Sequence, residues 1–182
     1  MPYNIRAVLA AAALLEPAPA WAGGSRVVAL PQGIAMVPLG RELCGRRGPA
    51  ERPWLYERHG ELWLPAALVP ELAALSRAGT VAYVESESHG GDVEQWSLVW
   101  RDGEAGRVEA SSRAVEDALL ALGVVPDGGR DRFDTLGLGR HRDVDDWLAA
   151  EAPAAAAPPP AAPPEPAAVP EQRRRWWRFF WG

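Results

Sequence analysis

Residues 152–170 contain eight prolines, nine alanines, Glu165 and Val169 and nothing else. A segment of that composition cannot bury enough apolar surface to fold. Its prolines favour extended polyproline II backbone, which at about 3 Å per residue would hold its two ends up to ~60 Å apart. The segment therefore reads as a linker, and it limits what can fold together: residues 1–151 as one globular domain, 171–182 as a separate tail. Charge divides the same way. Residues 1–151 carry 15 Arg against 22 acidic residues, while 152–182 carry four Arg against two Glu. A domain with a net charge of −7 is not a general nucleic-acid binder. No uninterrupted apolar stretch reaches the roughly 18–20 residues of a membrane-spanning helix. Cys44, the single cysteine, excludes an internal disulfide framework and a multi-cysteine metal site. All 19 basic residues are arginine, the compositional mark of a GC-rich bacterial genome.

The first 22 residues admit two readings. In one, Arg6 is the charged region of a signal peptide, Ala7 to Leu15 its apolar stretch, and Ala20-Trp21-Ala22 a cleavage site, which gives an exported protein cut after Ala22. In the other, Tyr3, Ile5, Ala7 and Leu9 alternate onto one face of a first strand and the protein is cytoplasmic, peripheral at the inner membrane.

Between these ends short strands alternate with short helices. Arg26 to Leu30 and Gly33 to Leu39 read as strands. Trp54 to Glu57 and Glu61 to Leu64 read as a hairpin around Arg58-His59-Gly60. Pro70 to Ala78 is a predicted helix stopped by Gly79. Thr80 to Ser88 and Glu94 to Arg101 form the clearest strand pair, with Trp96, Leu98 and Trp100 alternating onto a buried face. Asp102-Gly103 turns the chain toward Arg107 to Glu109. Ser112 is placed to cap a helix in which Val115, Ala118, Leu119 and Leu122 share a face. A last helix starts near Asp143 and includes Trp147. Sequential hairpins with few crossover helices predict an α+β fold with a mainly antiparallel sheet.

Two carboxylates and an imidazole recur at period two in Glu85, Glu87 and His89, on the same side of a strand as Tyr83. That spacing suits a divalent metal or a general acid and base. It equally suits an acidic ledge for a basic protein partner, formed by Tyr83, Glu85 and Glu87 with Gln95 nearby. The plainest reading is the solvated face of a half-buried strand. Gly90-Gly91 suits a tight hairpin and lacks the residues of a phosphate loop. His141, Asp143, Asp145 and Asp146 offer oxygen and nitrogen ligands without the spacing of a calcium loop, and helix capping accounts for most of them, with Arg140 and Arg142 expected to pair with carboxylates. Arg46 and Arg47 beside Cys44 would lower a thiol pKa, but no serine-hydrolase elbow accompanies it.

The tail Arg173-Arg174-Arg175-Trp176-Trp177-Arg178-Phe179-Phe180-Trp181 joins cationic side chains to rings that favour the headgroup region of a bilayer. It is too short for an independently stable helix in water, so order would come on binding. An anionic membrane surface and an apolar protein groove both fit it. Nucleic acid fits less well, because the domain is acidic.

From Ala82 to Trp147 the chain resembles a family of small bacterial proteins. The resemblance rests on Ala82-Tyr83-Val84-Glu85, Glu87, Gly90-Gly91, Gln95, Trp100 and Asp102-Gly103. It continues through Ala118-Leu119, Leu122-Gly123-Val124, Asp131, Phe133-Asp134, Gly137-Leu138-Gly139-Arg140 and Arg142. It covers about a third of the chain and departs from the pattern at Ser88-His89, where the family carries an aromatic pair. The resemblance implies no activity and no catalytic residue, and it favours the strand reading of the N-terminus. Taken together, the sequence predicts a non-enzymatic binding or adaptor protein without a cofactor: an acidic domain for a protein partner and a tethered basic-aromatic tail. The alternative is a small metal-dependent enzyme using Glu85, Glu87 and His89.

Overall fold

A computed structural model describes residues 3–23, 25–40, 62–90 and 92–150, the side chains of His89 and Ala150 excepted. The chain divides into two units, Met1–Ala152 and Pro153–Gly182. The second unit, with most of the linker and all of the tail, lies outside the described residues, as do the first strand of the predicted 54–64 hairpin, His59 and Cys44.

Among the described residues, seven strands make one antiparallel sheet. They are β1 (Tyr3–Ala11), β2 (Val28–Ala29), β3 (Ile34–Pro38), β4 (Val81–His89), β5 (Asp92–Arg101), β6 (Glu104–Ala105) and β7 (Glu109–Ala110). Their order is β2-β3-β1-β4-β5-β6, with β7 also pairing β5. The fold is α+β, as the hairpin pattern predicts. Apolar residues on both faces of β1 suit an interior strand, and it lies between β3 and β4, with Val8 opposite Val37 on one side and Tyr83 on the other. In the strand reading Tyr3, Ile5, Ala7 and Leu9 share a face; Ile5, Ala7 and Leu9 are buried there with Tyr3 packed against them. Trp21 and Ala22, in the proposed cleavage site, are buried in a 3₁₀ turn.

In the β4–β5 hairpin His89 is opposite Asp92 and Gly90 takes φ +65°. The next turn holds Asp102 at φ 54° and Gly103 at φ +88°, two left-handed residues whose twist matches that of the strands they join.

Helices cover both faces of the sheet. On the Tyr83 face, Leu15 of α1 (Ala12–Leu15), Trp21, Leu64, Leu68 and Leu72 of α2 (Val69–Leu75) close over Val8, Ala10, Val81, Leu98 and Trp100. On the Ala82 face, Val115 and Leu119 of α3 (Ala114–Ala121), Leu136 of α4 (Arg132–Leu136), Leu138 and Trp147 of α5 (Val144–Ala150) cover Ile5, Leu9, Met36 and Val84.

The cover on the Tyr83 face overturns the expectation that the side of β4 bearing Tyr83 and Glu85 is solvated. Every residue of β4 from Val81 to Ser86 is buried. Alternation shows which residues share a side; it carries no information on whether a layer packs over it. Two smaller expectations also fail. Leu62 and Leu64 are buried, but 62–64 is not a strand; the Trp63 N–H donates to the Glu85 carboxylate instead of a ladder partner. The residue preceding α3 is Arg113, without a side-chain cap, while the Gln95 side chain accepts from the Val115 N–H at 3.4 Å. Asp143 behaves as predicted and accepts from the Asp145 N–H at 2.9 Å.

Candidate functional site

Register builds the site. In an antiparallel pair, directly opposite residues point to the same face. Arg6 of β1 is opposite Glu85 of β4, and Asn4 is opposite Glu87. Across the next ladder Glu85 faces Trp96, and Glu87 faces Glu94. The odd-numbered residues of β4 thus meet polar residues of β1 at the hairpin end of a face that is otherwise apolar.

Arg6 joins the two glutamates. Its guanidinium donates to Glu87 Oε1, and its Nε lies 3.5 Å from Glu85 Oε1. The Arg6 guanidinium also sits over the Trp63 ring, 5.1 Å from its centroid, a cation–π contact. Glu85 Oε2 accepts from the Tyr83 hydroxyl at 2.8 Å and from the Trp63 N–H at 3.0 Å. Glu85 therefore ties the segment 62–64 to the sheet. Its side chain is 1% exposed. Burial pushes its carboxyl up to about 7, against the opposing pull of the Trp63 N–H, the Tyr83 hydroxyl and Arg6. For Arg6, burial works against the charge, but the bond to Glu87 and the charges of Glu85 and Glu87 prevail and hold it above its usual range.

The sequence-predicted residues separate on this geometry. Tyr83, Glu85 and Glu87 come together, but Tyr83 and Glu85 are buried, so the acidic ledge they were expected to present to solvent narrows to Glu87. Gln95 points the other way: its neighbour Trp96 is on the Tyr83 face, and its own side chain meets the first turn of α3. The His89 side chain and Arg173, Arg174, Arg175, Trp176, Trp177, Arg178, Phe179, Phe180 and Trp181 lie outside the described residues.

A metal on Glu85 and Glu87 would compete with Arg6, which already holds the space between the two carboxylates. Among the described residues no three His, Cys, Asp or Glu side chains are grouped to hold an ion. In the 131–147 segment, among the described residues, Arg140 pairs with no acid, contrary to expectation. It lies over the Trp147 ring at 5.0 Å, with His141 edge-on to the same ring at 4.6 Å.

Sequence reasoning missed Arg6, Asn4 and Trp63. The available signal was parity: Asn4 and Arg6 are the polar residues of β1 on the side opposite Ile5, Ala7 and Leu9, and a charge on an interior strand calls for a partner.

What the arrangement offers chemically is a buried carboxylate that titrates near neutral pH, a fixed guanidinium, and an indole left 43% exposed at the rim. Among the described residues no helix is long and apolar enough to cross a membrane. Comparison with family models, with curated proteins and with solved structures finds no match for this chain.

Proposed function

We propose that this chain is a non-enzymatic binding protein whose folded acidic domain engages a basic protein partner while its C-terminal tail holds to an anionic membrane surface. The observation that carries the reading is the composition of residues 173–181: four arginines, three tryptophans and two phenylalanines, set beyond a linker of proline and alanine. Each arginine near an anionic surface contributes about 1 kcal/mol, and the rings add an attraction that salt does not screen. The domain's own negative charge would be repelled by the same surface, so the tail needs a spacer to act independently.

The test is sedimentation of the intact chain with vesicles of phosphatidylcholine and phosphatidylglycerol. Binding at low salt, weakened but not abolished at high salt and lost on deletion of residues 171–182, is the expected result. Failure of the intact chain to sediment would sink the membrane reading and turn the search to an apolar protein groove. The enzyme alternative predicts near-stoichiometric uptake of a divalent metal that is lost in Glu85→Ala. It requires Arg6 to leave the carboxylates it holds, which is why binding is preferred.

A further inference from the structure

The hairpin end of the Tyr83 face combines three features that stability alone does not account for. First, Glu87 and Glu94 stand directly opposite each other, and like charges in that relation destabilise a sheet. Asp92, also exposed, precedes Glu94 by two residues on the same face of β5. Second, Trp63, the only exposed aromatic side chain among the described residues, leaves an indole 43% exposed against the Arg6 guanidinium that holds Glu87. Third, Glu85 Oε1 is buried and accepts no hydrogen bond; the charge nearest to it is the Arg6 Nε. Glu85 and Glu87 thus share one guanidinium, and among the described residues no ion pair reaches Glu94 or Asp92.

We propose that this end of the sheet is the docking surface for an arginine- or lysine-rich segment of a partner protein, with Glu87, Glu94 and Asp92 receiving its charges and Trp63 its apolar contact. The inference rests on the binding-protein reading above and assigns that reading to particular residues. Arg6 displays within the chain the contact an incoming arginine would make, a guanidinium against the Trp63 indole that also reaches a carboxylate. The charge of the domain, 15 Arg against 22 acids in residues 1–151, favours the encounter at long range.

The test uses the full chain and a fluorescein-labelled hexa-arginine peptide, followed by anisotropy at low salt. Asp92→Asn combined with Glu94→Gln should weaken binding about fivefold, since rim charge pairs are individually modest. Trp63→Ala should weaken it by a similar factor, roughly that of one cation–π contact. The control is Glu104→Gln with Glu109→Gln. These residues pair with Arg101 and Ser97 and so lie on the opposite face of the sheet, and the change in net charge is the same. The control should leave affinity within about 1.5-fold. If it weakens binding as much as the Asp92/Glu94 pair does, the attraction is one of net charge and the surface is wrong. If the peptide fails to bind while the chain still sediments with anionic vesicles, the surface is wrong and the membrane reading stands. If the peptide binds as expected and the vesicles do not, the surface stands and the membrane reading falls.

Discussion

The two faces of the sheet differ in how deeply they hold charge: the Arg132–Glu116 pair of the Ala82 face has side chains 21% and 20% exposed, whereas Glu85 on the Tyr83 face is 1% exposed. On the Ala82 face, side-chain acceptors meet backbone donors. Glu116 accepts from the Phe133 N–H at 2.8 Å, Asp131 from the Asp134 N–H at 2.7 Å, and Thr135 from the Asp127 N–H at 3.1 Å. Each supplies a partner to a backbone donor at a turn or helix start. On the Tyr83 face a carboxylate and a guanidinium are held inside the sheet itself, over 1% and 20% exposed side chains. Buried charge of that kind adds little to stability and costs much when one partner is lost. The first face is therefore organised for folding, while the second gives up stability to keep charge in place. Experiments that perturb each face separately can break that contrast or sharpen it.

The largest effect belongs to the strand both faces share. A chain beginning at Gly23 lacks β1, which pairs with β3 and β4 together. It should show no cooperative thermal transition by far-UV circular dichroism. A truncated chain that melts like the intact one would overturn the central place of β1, and with it the comparison of faces.

Next come the two large buried tryptophans, Trp100 under the Tyr83-face cover and Trp147 under the other, both 0% exposed. Replacement by alanine should cost about 3–5 kcal/mol at either site. Their indole Nε1 atoms have no hydrogen-bond partner. Replacement by phenylalanine forfeits volume without forfeiting a bond, so it should cost less than half as much as alanine in urea unfolding. Equal losses at the two positions would show that the faces share the apolar work evenly and differ only in where charge is placed.

The contrast also explains what could be read from the sequence. Period-two alternation revealed β1, β4 and β5, and Gly90-Gly91 and Asp102-Gly103 marked the turns, because these signals are local. The helix of Val115, Ala118 and Leu119 was equally visible. The short helix α4 was hidden among charged residues: its cap, Asp131, and its terminator, Gly137 at φ 68°, enclose only five residues, too few to display a period. The site was half legible. Tyr83, Glu85 and Glu87 stood out on one strand, but the burial of Tyr83 and Glu85 depends on residues 62–72 packing over the sheet, and the partner of Glu85 comes from Arg6 at the far end of the chain. Non-local register cannot be inferred from spacing within one strand.

A third experiment acts on the charged face alone. With its carboxyl raised from 4.5 to about 7, folded Glu85 retains a proton that the unfolded chain releases between those values. Its contribution to stability is therefore fully present below pH 4.5, falls as pH rises through the window and is lost above about 7, a change on the order of 3 kcal/mol. Glu85→Gln should flatten that slope in urea titrations at pH 5 and pH 8, and the variant should gain on the parent most at pH 8. An unchanged slope would mean that Arg6 keeps Glu85 ionised throughout, and the charged face would then be stabilised as firmly as the other.

The smallest predicted effect tests the helix-bearing face. Asp131 is the N-cap of α4 and its carboxylate accepts from the Asp134 N–H. Asp131→Ala should cost about 1 kcal/mol, and Asp131→Asn only a fraction of that, because the amide oxygen still accepts the bond. Neither change should alter the pH slope assigned to Glu85. The reason is positional: Asp131 is exposed and capping α4 on the Ala82 face, with the whole sheet between it and the Arg6 cluster. If Asp131→Ala shifts both stability and the pH slope, the faces are coupled through β1 and β4. The buried charges would then report on the packing of the entire sheet rather than on the hairpin end where they sit.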